Sequence, residues 1–194
     1  MDIEELERRA KITSDQCAGI QPMHLAFYGQ SIHYSAERCL SAFARYDALL
    51  ESESNAIELV SVVQEAIGHA AALSRYFWPT SMGNKKKEAN QISMRLKRGE
   101  KLRQHFNVDE TSPIYNRDLR NAWEHFDEKL DTYLISNDAG YFFPSPISGS
   151  HVTADDPVGK IFKLIDTEED CLVLLGKKFF FLPIRKEVQR IFTK

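Results

Sequence analysis

The residues in this chain best suited to chemistry lie close together in Asn116-Arg-Asp-Leu-Arg-Asn-Ala-Trp-Glu-His-Phe-Asp-Glu-Lys-Leu130. Stepped around a helix at about 100° per residue from Arg120, the residues Tyr115, Leu119, Trp123, Phe126, Leu130 and Tyr133 fall within an arc of roughly 220° to 300°. That pattern predicts one continuous amphipathic helix with a buried stripe. The opposite side carries Arg117, Arg120, Asn121, Glu124, His125 and Glu128. One reading of that side is a solvated surface laced with ion pairs, Arg117 or Arg120 to Glu124. The other is a reactive one. Asn is poorly suited to a helix interior unless its amide is used. His titrates near neutral pH, and an Arg beside it makes an acid–base and anion-stabilising pair.

Other chemistries have less support. The six histidines form no H-x-x-x-H or H-E-x-x-H pair, so no helix-borne metal site is expected. His69 lies among small residues and reads as a core or interface histidine. The three cysteines (Cys17, Cys39, Cys171) are far apart without C-x-x-C spacing, which argues against a disulfide framework or a thiolate zinc site and fits a reducing compartment. No phosphate-binding glycine loop and no G-x-S-x-G elbow is present. No cofactor is expected.

A chain of 194 residues suggests one domain or one domain plus an appendage. With 43% apolar and 27% charged residues it can build a core and is not a disordered segment. A net charge of −3 means that any nucleic-acid binding must come from a local patch. The acidic start, Met1-Asp-Ile-Glu-Glu, does not read as a signal peptide, and no apolar run of spanning length is evident. The expectation is a soluble cytoplasmic protein that does not engage a membrane.

Around the central stretch the chain predicts four long helices. Residues 1–21 read as an arm or short helix. Residues 22–135 read as an antiparallel helical bundle: a helix from Pro22 to Glu51, a second from Asn55 to Phe77 stopped by Pro79, a basic third from Lys85 to Phe106, and the central helix after Ser112-Pro113. Ser81, Gly83 and Asn84 supply the loop after the second. Gly99 should weaken the third by about 1 kcal/mol relative to Ala. The positive charges of that helix are either a solvated face or a track for a phosphate backbone through Lys97, Arg98, Lys101 and Arg103. Residues 136–159 read as a Gly/Pro-rich loop. Residues 160–194 read as a small antiparallel β-meander, with strands at Ile161–Ile165, Leu172–Leu175 and Phe179–Leu182, and a closing helix from Arg185 to Phe192.

Arg120-Asn121-Ala-Trp-Glu-His125 resembles the Arg-polar-x-x-x-His signature of HEPN domains, the higher eukaryote and prokaryote nucleotide-binding superfamily. Arg98 and His105 have a similar spacing, but Gly99 stands where the signature has a polar residue, and they lie one helix early. The resemblance covers roughly residues 22–135 and implies an all-helical bundle with the signature on its last long helix. It further implies a homodimeric, metal-independent endoribonuclease, with toxin or defence roles in the family and an antitoxin as a partner. Carried to this chain, Arg120 and His125 are catalytic, Asn121 orients them, and Glu124 and Arg117 support them. His125 would serve as acid or base near its reference pKa of about 6.5, and Arg120 would bind phosphate bidentately. The two point about 140° apart on a straight helix, so a two-fold dimer is expected to bring counterparts together. The superfamily also contains non-catalytic members, and a dimeric interaction or nucleotide-binding module is the alternative.

Overall fold

The computed structural model describes residues 2–52, 54–80, 83–116 and 118–194, and for Leu119 and Arg120 the backbone only. Arg117 and Ser81 lie outside the described residues. The protein is mainly helical, with a small C-terminal sheet and a closing helix.

The core is an antiparallel pair of long helices, α2 (Leu25–Glu51) and α3 (Ala56–Phe77). A 3-10 turn at Pro22–His24 leads into α2, as the proline at its start favours. On α2, Ile32, Cys39, Phe43 and Tyr46 are buried at helical spacing. On α3, Leu59, Val63, Ala66, Ala70, Leu73 and Phe77 face them. Asn55 caps α3 by accepting from the amides of Ile57 (3.0 Å) and Glu58 (3.1 Å). By length and composition α3 is also the one helix among the described residues that could cross a membrane. Its apolar stripe is spent on the protein's own core.

Residues 1–21 are no loose arm. α1 (Ile3–Cys17) is a full helix that packs along α4 (Ala89–Phe106). The two cap each other. The Glu7 carboxylate accepts from the amides of Asn90 (2.8 Å) and Gln91 (3.1 Å) at the start of α4. At the other end, Lys97 of α4 donates to the Ser14 carbonyl (3.2 Å) and Lys101 to the Cys17 carbonyl (3.1 Å). A carboxylate at a helix N-terminus and ammonium groups at a C-terminus each complement the partial charges of unpaired backbone groups. Gly19 (φ 82°) lies where an added Cβ would be 2.3 Å from the Arg98 amide, so only glycine lets the turn after α1 touch α4. α4 begins at Ala89, four residues later than the sequence pattern suggests, because 85–88 form a turn closed by Asn84.

The fourth helix is not continuous. It divides into α5 (Asp118–Glu124) and α6 (Phe126–Ser136), with His125 between them at φ −122° and ψ 37°. Two helical hydrogen bonds bracket the break, His125 N–H to Asn121 O (3.2 Å) and Lys129 N–H to His125 O (3.1 Å). At the break Trp123 and Phe126 stack at 6.2 Å, and the Lys163 ammonium lies over both rings. Of the expected stripe, Tyr115, Trp123, Phe126, Leu130 and Tyr133 are only half-buried; Ala122 is buried, and α6 buries none of its residues.

The stretch 136–159, expected as a loop, contains β1 (Tyr141–Phe143), β2 (Ile147–Ser148) and a 3-10 turn at His151–Asp155. β1 pairs in parallel with β3 (Gly159–Ile161). A second sheet has the order β2-β4-β5-β6, in which β4 (Lys163–Asp166), β5 (Cys171–Leu174) and β6 (Lys177–Phe180) form the expected antiparallel meander. Leu172 and Leu174 point to the helical core, and Cys171 and Val173 to a small second cluster with Ile161 and Leu164, as a period of two dictates. Leu175 (φ 50°) and Gly176 (φ 76°) make the tight β5–β6 turn. α7 (Leu182–Phe192) returns along α2, preceded by Phe181 against Phe43 and Tyr46 and held by Arg185 to Asp47 (2.8 Å).

Candidate functional site

The Asp118–Glu128 stretch is held at three points. Asn116 caps the start of α5 by accepting from the Asp118 amide (2.8 Å). The Asp118 carboxylate pairs with Lys177 of β6 (2.9 Å). At the far end Glu124 pairs with Arg75, in the last turn of α3. Between these ties Ala122 is buried against the core, with Trp123 half-buried beside it. α5 is thus pinned to the sheet at one end and to the core helix at the other.

His125 follows the second tie. Its side chain is 55% exposed, and its Nδ1 lies 3.6 Å from Glu128 Oε2, itself at the surface. That separation is too long for a hydrogen bond. The imidazole therefore faces solvent. Asn121 is half-buried one turn earlier. Arg120 belongs to α5, and its side chain lies outside the described part. Asn121, Glu124 and His125 share little more than one helical turn. Arg75 is an additional cation that sequence reasoning missed. Nothing in the local sequence Leu73-Ser-Arg-Tyr-Phe77 signals that it meets Glu124, 49 residues away.

The basic helix sits elsewhere, and its contacts are with the protein itself. Lys97 reaches Ser14 and Asp15, and Lys101 reaches Cys17. Arg103 donates to the Phe77 carbonyl (2.5 Å) and lies over Trp78, while Arg98 lies over the Tyr28 ring. All four are half-buried. In this fold they join α4 to α1, α2 and the end of α3.

Beside α5, the outward-lying α6 leaves a groove of about 410 Å³ against the β5–β6 hairpin. Ala122 forms one end, Phe179 and Tyr133 supply aromatic surface, and Lys129 and Lys177 bring positive charge.

Cys39 and Cys171 are buried and His69 and His151 half-buried, whereas His24, His33 and His105 are exposed. Burial pushes the Cys39 thiol up to about 12, with an amide hydrogen bond from Ala70 opposing. Burial likewise raises Cys171. For His69 burial outweighs the attraction of Glu65, so its pKa is lowered. His151 Nδ1 lies 2.7 Å from buried Asp166, and the same carboxylate accepts from the amides of His151, Glu168 and Glu169. Among the described residues no three His, Cys, Asp or Glu side chains are grouped to hold a metal ion.

No family model, curated protein or solved structure matches this chain.

Proposed function

We propose that this chain is a HEPN-like endoribonuclease that cleaves RNA without a metal, as a two-fold dimer. The observation that carries the reading is an exposed, titratable His125 at a helix break, five residues after Arg120 and flanked by Asn121 and Glu124. The reaction needs a base to take the proton of the ribose 2′-hydroxyl. The 2′-oxygen then bonds to phosphorus, and the bond from phosphorus to the 5′-oxygen breaks. An acid supplies the proton to the departing 5′-oxygen. A neutral imidazole does the first task and an imidazolium the second, so two copies of His125 across a dimer cleft cover both. Arg120 compensates the charge on the pentacoordinate phosphorus. Glu124, anchored by Arg75, fixes the helix between the two.

A second reading, a non-catalytic dimeric interaction or nucleotide-binding module on the same bundle, is favoured by a different observation. Ile135 is 84% exposed and Leu134 41% at the end of α6, a pair of adjacent apolar side chains left open to a partner.

The test compares wild type with Arg120→Ala and His125→Ala on a mixed RNA substrate in EDTA, with circular dichroism to establish folding. Loss of cleavage in both folded variants supports the nuclease. Wild-type cleavage by either variant removes the assignment, and no cleavage by any of the three moves the protein to the second reading.

A further inference from the structure

We infer that the groove between α6 and the β5–β6 hairpin is a subsite for an unstacked base of single-stranded RNA. The inference rests on the ribonuclease reading for its place beside the reacting phosphate, and its own chemistry stands separately.

The groove begins at the signature itself. Ala122, between Asn121 and Trp123, lines one end. Lys129 lies one helical turn beyond His125, its amide bonded to the His125 carbonyl at 3.1 Å, and its side chain borders the groove. A turn advances about 5.4 Å along the axis. A polynucleotide with a phosphate at His125 therefore has its neighbouring nucleotide at the groove.

Size and chemistry suit a base. A volume of about 410 Å³ falls in the range of small-molecule sites. The surface is mostly apolar, and its aromatic residues are Tyr133, half-buried, and Phe179, 8% exposed. The Lys177 ammonium lies 5.4 Å from the Phe179 ring and is held at 2.9 Å by Asp118, so the charge at this wall is fixed in place. Ser136 Oγ donates to the Thr132 carbonyl at 2.7 Å, which leaves its lone pairs to accept from a ligand. Aromatic faces with flanking cations and a few polar groups are how unstacked bases are held. A duplex keeps its bases stacked and has nothing to insert here.

The experiment uses fluorescence anisotropy of a labelled single-stranded RNA hexamer, with the duplex of the same sequence as comparison, at one fixed salt concentration. The protein is His125→Ala, so that the probe is not cut. Ser136→Trp is added to fill the groove from the exposed side of α6, and Lys129→Glu in a separate variant removes the cation at its rim. The expected result is single-strand binding that weakens at least tenfold with Ser136→Trp and severalfold with Lys129→Glu, and duplex binding weaker than either. Circular dichroism checks that both variants fold. Equal binding with and without Ser136→Trp overturns the inference, as does duplex binding as tight as single-strand binding, or no single-strand binding at all. The two readings separate cleanly. RNA cleavage that persists in Ser136→Trp on the otherwise wild-type chain leaves the nuclease standing and removes the subsite. Groove-dependent binding by a wild-type protein that never cleaves RNA does the reverse.

Discussion

Replacing Gly99 by alanine should destabilise this protein, although the same change elsewhere in its helices should stabilise it. An exposed helix-interior glycine costs about 1 kcal/mol relative to alanine. Gly29 on α2 and Gly68 on α3 are such positions, with nothing within 4 Å of an added Cβ. Gly99 is buried where α4 passes beneath the end of α3, and its added Cβ would lie 2.6 Å from the Phe77 carbonyl oxygen and 2.6 Å from Pro79 Cδ. Carbon contacts are comfortable near about 3.5–4.0 Å, so the overlap is on the order of 1 Å. Neither neighbour yields easily. Phe77 is fully buried, and its carbonyl already accepts from Arg103. Overpacking of this kind costs about 1–3 kcal/mol, and the propensity gain offsets about 1 kcal/mol of it. The net loss is up to roughly 2 kcal/mol, or a Tm lower by up to roughly 8 °C at about 2–4 °C per kcal/mol for a chain of this size. Gly68→Ala and Gly29→Ala should each raise Tm by roughly 2–4 °C. Scanning calorimetry on the three variants reads the difference. A Gly99→Ala protein that melts as high as Gly68→Ala would refute the close crossing of α4 with the end of α3.

Three further outcomes follow from particular contacts. Arg75→Ala removes one ion-pair partner of Glu124, so RNA cleavage by the variant should fall severalfold with folding retained, and Arg75→Lys should restore part of it. Wild-type cleavage by Arg75→Ala would detach this ion pair from the site. Asp166 is buried, which opposes its charge, but hydrogen bonds from the His151 amide and ring and from the Glu169 and Glu168 amides outweigh this and hold its carboxyl below the usual range. A depressed folded-state pKa means that the stabilisation is complete above the unfolded value of about 3.9 and is lost as pH falls through the folded one. Asp166→Asn should therefore flatten the acid limb of a Tm-against-pH curve, and an unchanged limb would contradict this. Arg185→Ala removes the partner of the Asp47 carboxylate and the guanidinium over the buried Phe43 ring, and Tm should fall more than it does for Arg8→Ala, whose exposed pair with Glu5 is worth little. Equal shifts in thermal melts would contradict that ranking.

The helical core was legible because its signals are local. Asn55 and Pro79 bracket α3, and the apolar spacing of Ile32, Cys39, Phe43 and Tyr46 reads as a helix face. The meander was legible from β-type runs parted by Asp166–Asp170 and by Gly176-Lys-Lys178, although the turn itself is Leu175–Gly176 and both lysines belong to β6. The break at His125 was not, because neither glycine nor proline marks it and the stripe through Trp123, Phe126 and Leu130 continues across it. What accompanies the break is a tertiary contact, Lys163 over both Trp123 and Phe126. The charge run of α4 was visible, but not its use: the carbonyls of Ser14 and Cys17 lie opposite Lys97 and Lys101 only after α1 folds back. β1 and β2 are three and two residues long amid prolines and glycines, too short for alternation to show. Of the site, Asn121, Glu124 and His125 could be found from spacing. Arg75 and the groove beside α6 arise from pairings between distant segments.

The most direct measurement is the chemistry of RNA ends left by the purified wild-type protein in EDTA, read by mass spectrometry beside His125→Ala. The expected result is 2′,3′-cyclic phosphate and 5′-hydroxyl ends from wild type and intact RNA from the variant. Ends bearing a 5′-phosphate, or cleavage that His125→Ala retains, would contradict a 2′-hydroxyl attack run by His125.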